Sequence, residues 1–367
     1  MENGYGHGSI QALSGVECIR RRPGMYIGNL GREGLHQLVW ELVGNSVDEH
    51  LAGGASWLRV ELQGPRIRVE DDGRGIPLAP FPGDTRTCLE VYLSEIHAGY
   101  DKRPHVHVAP SLHGVGLTVV NALSAELCVE ITRYGRRYRQ RYERGEVLGP
   151  VEDVGPARGS GTFIEILPDS TIFGAEAAVE PDHLAERLRE LAALNPGLTT
   201  MLGQQAFCAP RGSADHIQHL AGSSERLHPH PIVCRGELEG VRVDVALLWT
   251  AAPEHRRSAW VSQSPCPEGV HIRGYQLGLR DALVGESSVD AAVLAELFEQ
   301  GLVALVDVRM DSPVYGSPTR SWLNSDEAQR ATRAIVGQQL GAALAEAPAL
   351  RAALLDRIPV SESSSSS

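Results

Sequence analysis

Apolar residues near the start of the chain recur at helical spacing. In GLHQLVWELVGNSVDEHLA, from Gly34 to Ala52, Leu35, Leu38, Val39, Leu42, Val43 and Val47 share one stripe and Gly53-Gly54 follow as a stop, which predicts an amphipathic helix. The period then shortens to alternation. WLRVELQ and RIRVEDDG, joined at Gly64-Pro65, predict a hairpin whose second strand ends in an acidic, glycine-rich turn. SLHGVGLTVVNALS passes from a glycine-rich loop into a helix. ELCVEITRYG, RRYRQRYERG and GTFIEILPD read as strands, and His183 to Asn195 as a further helix. Helices laid on a mainly antiparallel sheet make an α+β layer.

Past about Gln205 the signals restart. VRVDVALLWT and LVALVDVRM read as strands, His271 to Val284 and Val289 to Gln300 as helices, and Asp326 to Leu355 as one alanine-rich final helix. A chain of 367 residues exceeds what one core comfortably serves. The expected organisation is therefore a first domain over 1–205, a second α/β domain over 206–355, and a serine-rich tail over 356–367 that has nothing to bury.

Charge and cysteine content narrow the partners. Acidic residues number 46 against 34 basic ones, and a formal charge of -12 argues against a surface built mainly to neutralise nucleic-acid phosphates. RYGRRYRQRYERG interleaves arginine with tyrosine, which suits either a local nucleic-acid contact or the polar face of an edge strand. Cys18, Cys88, Cys128, Cys208, Cys234 and Cys266 lack metal-site spacing, so reduced, buried thiols are expected. Neither a signal pattern nor an apolar run of membrane length is present, and the cytoplasm is the expected compartment.

Three segments carry candidate chemistry. On the first long helix Glu41, Asn45 and Asp48 stand at i, i+4 and i+7 and so share a face. A carboxylate there can polarise water, and an amide oxygen can bind a hard cation such as magnesium. A solvated helix face has the same spacing. Asp71-Asp72-Gly73-Arg74-Gly75-Ile76-Pro77 ends a strand with glycines that permit close backbone approach to a ligand, although an acidic turn has that composition too. Ser111-Leu112-His113-Gly114-Val115-Gly116 opens a helix and offers N–H groups to an anion.

In order and spacing, together with the downstream Gly161-Thr162 strand, these segments resemble the Bergerat nucleotide fold of the GHKL superfamily, shared by gyrase B, Hsp90-type chaperones, histidine kinases and MutL-type proteins. CIRRRPGMYIG, LHQLVWELVGNSVDEHLAGG, VEDDGRGIP, LHGVGLTVVNALS and GTFIEILPDSTIF look like the gyrase B and topoisomerase IV branch in particular. LVALVDVRMDSPVYGSPTRSWLNSDEA resembles that branch's ribosomal-S5-like transducer.

The resemblance implies an ATP-binding, ATP-hydrolysing module that uses Mg2+ and dimerises on binding ATP. It makes Glu41 the general base, Asn45 the magnesium ligand, and Asp48 a support for the nucleotide end of the cleft. Asp71 becomes the adenine-amine acceptor assisted by Thr162, with Gly75 and Ile76 shaping the purine pocket. Leu112, His113, Gly114, Val115 and Gly116 become a lid over the triphosphate. Arg74, Pro77 and Arg133 correspond to the mouth of an aminocoumarin site. Tyr5, in an arm over residues 1–15, would reach a second copy, and Arg320 would replace the lysine that senses the γ-phosphate. A gyrase A-like subunit and DNA are the implied larger partners.

The sequence departs from that pattern at Pro110-Ser111, where the family has Gly-Gly, and at Pro318-Thr319-Arg320, where it has Gln-Thr-Lys. Proline removes an N–H, and arginine does not replace lysine in reach or hydration. These departures motivate an alternative, a non-hydrolysing nucleotide-sensing or interaction module acting as a gyrase-related regulator or drug-binding decoy. The TOPRIM region of full gyrase B would lie beyond this sequence, so strand passage by this chain alone is not expected.

Overall fold

Capping chemistry sets the first helix. Ser14 accepts from the Glu17 backbone and the Glu17 carboxylate accepts in return from the Ser14 N–H, which starts α1 (Gly15–Arg21). The computed structural model describes residues 14–96, 115–174, 176–285, 297–317 and 320–357. They divide into two units, one running up to Leu188 with Leu198–Phe207 added, the other Arg189–Gly197 with Cys208 onward.

In the first unit α2 (Gly24–Ile27) leads to α3 (Arg32–Leu51) and the hairpin of β1 (Trp57–Gln63) and β2 (Arg66–Asp71). There follow α4 (Cys88–Ser94), α5 (Gly116–Ala122), β3 (Ser124–Arg133), β4 (Arg136–Glu143), β5 (Glu146–Val147), β6 (Glu152–Pro156), β7 (Gly161–Pro168), α6 (Ser170–Phe173), α7 (Pro181–Leu194), whose residues from Arg189 onward belong to the second unit, β8 (Thr199–Leu202) and β9 (Gln205–Phe207). The strands form one nine-stranded sheet in the order β5-β4-β3-β7-β2-β1-β8-β9, with β6 also paired to β4. Leu35, Leu38, Val39, Leu42, Val43 and Val47 are all buried, and so are the inward residues Leu58, Val60, Ile67, Val69, Val129, Ile131, Ile164 and Ile166 of the sheet. Truncating one such leucine to alanine costs about 2–5 kcal/mol. The helix stripe and the sheet alternation are thus two halves of one core.

Strand β4 is not an edge strand, contrary to the sequence expectation. It lies between β3 and the short strands β5 and β6. Three of its arginines are paired within the sheet, Arg136 with Asp153 and Arg137 and Arg139 with Glu130, and Arg144 just after the strand pairs with Glu143 and with Asp169 at the start of α6. Cross-strand pairing therefore accounts for much of the basic pattern without nucleic acid.

The second unit holds α8 (Ser213–Ala221), β10 (Ile232–Leu238), β11 (Val241–Trp249), β12 (Arg256–Val261), β13 (Ser264–Pro265), β14 (Glu268–Gly269), α9 (Val270–Val284), β15 (Leu302–Arg309), β16 (Trp322–Leu323), α10 (Asp326–Glu346) and α11 (Pro348–Leu355). Its main sheet runs β10-β11-β15-β12-β13. On one face Val245, Leu247, Trp249, Ala304, Val306 and Val308 meet Ile272, Leu279, Val336 and Leu340 of α9 and α10. On the other face Ala246, Leu248, Val303 and Leu305 meet Ile217 and Ala221 of α8. Burial on both faces is why VALLW and LVALV read as continuous apolar runs.

The final helix is two helices. Ala347 leaves the helical region at φ -125°, ψ 66°, and Pro348 opens α11. Proline has no N–H to continue the ladder and pushes its predecessor toward extended backbone, so the alanine-rich pattern cannot continue through it. The expected helix over Val289 to Gln300 lies outside the described residues as far as position 296. The six cysteines are free thiols, but Cys208 is exposed and Cys18 and Cys128 are only half-buried. Among the described residues no helix is long and apolar enough to cross a membrane.

Candidate active site

α3 brings one face of the helix against the end of β2 and the start of α5, and the predicted polar trio splits by depth. Glu41 is buried, with 1% of its surface exposed; Asn45 and Asp48 are half-buried. A buried carboxylate needs donors. Gln37, one turn earlier, donates from Nε2 to Glu41 Oε1 at 2.8 Å. The other oxygen, Oε2, lies against the backbone of Gly116, where any β-carbon would overlap it. Asn45 donates its Nδ2 to the backbone carbonyl of Glu41 at 2.7 Å, which leaves its amide oxygen as the acceptor suited to a hard cation. That oxygen is one neutral donor of the kind a magnesium ion takes, beside which the ion would complete its shell with water and phosphate oxygens.

The paired aspartates at the end of β2 do different work. Asp72 is consumed by structure, accepting from the Ser56 and Trp57 backbone N–H groups at 2.7 and 2.9 Å and so pinning the start of β1. Asp71 points the opposite way, as alternation along a strand requires. It is buried. Its Oδ1 accepts from the backbone N–H of Gly73 at 2.9 Å and of Thr162 at 3.3 Å, and its Oδ2 accepts from Ser46 Oγ at 2.7 Å. Burial pushes the Asp71 carboxyl above its usual range, against the pull of those hydrogen bonds.

Glycines let the backbone close around this carboxylate. Gly161 has φ 154°, and a β-carbon there would overlap the Asp71 carbonyl oxygen. Gly75 turns at φ 76°, with Ile131 Cγ2 2.9 Å from where its β-carbon would stand. Arg133 donates from Nη1 to the Gly75 carbonyl at 2.7 Å and lies 4.9 Å over the Tyr134 ring. Arg74 forks onto Glu49, with Nε to Oε1 at 2.6 Å and Nη2 to Oε2 at 2.9 Å. Ile76 is half-buried and Pro77 exposed beside them.

Of the remaining expected site residues, Val115 is buried at the start of α5 beside Gly116, while Thr162 meets Asp71 through its backbone N–H. Tyr5, Leu112, His113, Gly114, and the departures Pro110, Ser111, Pro318 and Thr319, lie outside the described residues. Arg320 belongs to the second unit. It adopts a left-handed φ of 56° and its guanidinium lies 5.8 Å from the Tyr315 ring. Sequence reasoning missed Gln37, Ser46 and Glu49. Gln37 precedes Glu41 by one helical turn and was detectable by spacing. Ser46 and Glu49 meet residues 25 positions away, a pairing that only folding reveals.

The family profile of histidine kinase-, DNA gyrase B- and HSP90-like ATPases matches residues 31–171, and the DNA gyrase B profile matches residues 212–366. The DNA gyrase B protein of Halalkalibacterium halodurans is 35% identical over 375 residues, covering 97% of this chain and 59% of the relative. That of Thermotoga maritima is 34% identical, covering 96% of this chain and 59% of the relative. The chain thus spans about three fifths of the length of these curated relatives. The crystal structure of the 43K ATPase domain of Thermus thermophilus gyrase B in complex with an aminocoumarin matches with a TM-score of 0.78 at 31% identity, covering 94% of each chain. Both regions, and a solved ATPase domain matched over nearly its whole length, agree: this chain belongs to the gyrase B family, with a GHKL ATPase domain followed by a transducer domain.

Proposed function

We propose that the chain binds ATP in its first unit and hydrolyses it, with Glu41 as the general base. The observation that carries this reading is the pairing of a buried, amide-held carboxylate on α3 with a second buried carboxylate, Asp71, whose Oδ2 keeps an acceptor position. Asp71 accepts a hydrogen bond from the adenine amine, with Thr162 beside it and Gly75 and Ile76 forming the purine wall. Glu41 takes the proton from the water that attacks the γ-phosphorus, and ADP leaves as the phosphoryl group is transferred. Asn45 holds the magnesium ion, and Asp48 supports the same end of the cleft. The ion supplies neutralisation of phosphate charge. Leu112, His113, Gly114, Val115 and Gly116 form the lid, and Arg320 has the sensor role that the family resemblance gives it.

Two copies associate when ATP binds, through the N-terminal arm that carries Tyr5. A gyrase A-like subunit and DNA are the partners in a type II topoisomerase, and the cytoplasm is the compartment. An aminocoumarin is in complex with the Thermus thermophilus ATPase domain. We extend that binding to this chain at Arg74, Pro77 and Arg133. The domain boundary near residues 205–206 is the junction between the nucleotide-binding and transducing functions.

Magnesium-dependent ATP hydrolysis, measured over a range of protein concentrations with Glu41→Ala in parallel, tests the reading. Turnover should rise faster than linearly with concentration and fall by roughly 100-fold or more in the variant. Equal turnover in parent and variant would sink it. ATP binding without turnover favours the second reading, a nucleotide-sensing or interaction module, which the prolines at 110 and 318 motivate. In that case, restoring Gly-Gly at 110–111 and Gln-Thr-Lys at 318–320 should bring hydrolysis back.

A further inference from the structure

We propose that Ser46 is a positioning residue that fixes Asp71 as a one-acceptor carboxylate and thereby makes the pocket select a purine carrying an exocyclic amine over one carrying a carbonyl. This deepens the nucleotide reading above and rests on it.

Lone pairs on the carboxylate set the selection. Asp71 Oδ1 already accepts two backbone N–H groups, from Gly73 and Thr162. Oδ2 accepts from the Ser46 hydroxyl at 2.7 Å, which leaves one acceptor direction on that oxygen for a ligand donor. Ser46 therefore decides which way the remaining lone pair faces. A serine inside a helix ordinarily returns its hydroxyl to a carbonyl of the preceding turn. This one, 2% exposed in the middle of α3, reaches across to the end of β2 instead.

Ser46 also bears on the charge of Asp71. Its hydroxyl and the two backbone N–H groups favour the ionised form, whereas burial and the nearby Glu49 carboxylate favour the protonated one. Glu49 is itself held by Arg74, and Arg133 is committed to the Gly75 carbonyl. Of the three donors to Asp71, Ser46 is the one that a side-chain substitution removes without touching the backbone. Once protonated, the carboxyl turns from an acceptor into a donor, and a donor at that point matches a purine carbonyl.

Equilibrium binding of the β,γ-imido forms of ATP and ITP to the full chain, from pH 5 to pH 8, tests the proposal. The parent should prefer the ATP form. Ser46→Ala should weaken ATP-form binding about 5- to 10-fold at neutral pH, move its acid limb to higher pH, and narrow the preference over the ITP form. Ser46→Thr should restore all three. Equal weakening of both nucleotides with an unmoved acid limb overturns the proposal and leaves Ser46 a packing residue. A parent that binds neither nucleotide, or binds both equally at every pH, overturns the purine-pocket reading along with it, an outcome distinguishable from the first. If Ser46→Ala does not fold, Ser46→Cys keeps the volume while weakening the donor, and the same readouts apply.

Discussion

Glu41 Oε2 rests against the backbone of Gly116, and only the absence of a side chain at position 116 allows it. The contact ties the middle of α3 to the first residue of α5, and it makes the glycine a spacer for the proposed base. Gly116→Ala should displace the carboxylate and lower turnover roughly 100-fold. Gly116 also belongs to the proposed lid, so nucleotide affinity should fall too, but by less than turnover, because Asp71 and its donors are untouched. Parallel measurement of turnover and of imido-ATP binding separates the two effects.

Asp71 is buried with its carboxyl pKa raised, so the folded chain holds a proton at this group more tightly than the unfolded chain does. Its contribution to stability is therefore present at acid pH and lost as pH rises through the folded value. Asp71→Asn, which never ionises, should abolish adenine-nucleotide binding while leaving the nucleotide-free chain as stable as the parent or more so. The stability difference should be greater at pH 7.5 than at pH 4. Thermal melts at the two values check the sign.

Gly161→Ala should be costly for a different reason. A β-carbon there meets the Asp71 carbonyl oxygen in the adjoining strand, and the glycine's φ of 154° is one that L side chains rarely adopt. The β2–β7 pairing, which sets Asp71 opposite Thr162, has to shift. A loss of about 2–4 kcal/mol is expected, read as a lower urea midpoint with little change in slope.

In the second unit His271 is fully buried, with its Nε2 3.0 Å from the Cys266 carbonyl, and burial pulls its pKa down to about 4. The unfolded chain takes up that proton near pH 6.5 and the folded chain does not. Stability from this group is thus present above about pH 6.5 and lost as pH falls toward 4, on the order of 3 kcal/mol in total. His271→Gln, which keeps a donor for Cys266, should flatten the pH dependence of chemical denaturation across that window.

Much of the fold could be read from periodicity. The Gly34 to Ala52 stripe, the β1–β2 hairpin and the strand-rich run after Ser124 all correspond to elements of the structure within a residue or two. Where the reading failed, local and non-local physics disagreed. The alanine pattern from Asp326 to Leu355 ignored what Pro348 does to the residue before it. The arginine-rich strand looked like a sheet edge because sequence alternation does not tell how many neighbours a strand has.

By itself the sequence determined the order of elements, the stripe that α3 buries, and the residue types available for the site, because these depend on spacing along one backbone. It also carried the likeness to the gyrase B family. Only the tertiary structure decided that Asp72 pins the start of a strand while Asp71 is buried among Ser46, Gly73 and Thr162, how deeply Glu41 lies relative to Asn45 and Asp48, and that Ser46 and Gly116 complete the surroundings of the two carboxylates. Those relations join residues far apart in the chain. They follow from strand register and helix docking, which are set by the packing of the whole core and leave no local signature in the order of residues.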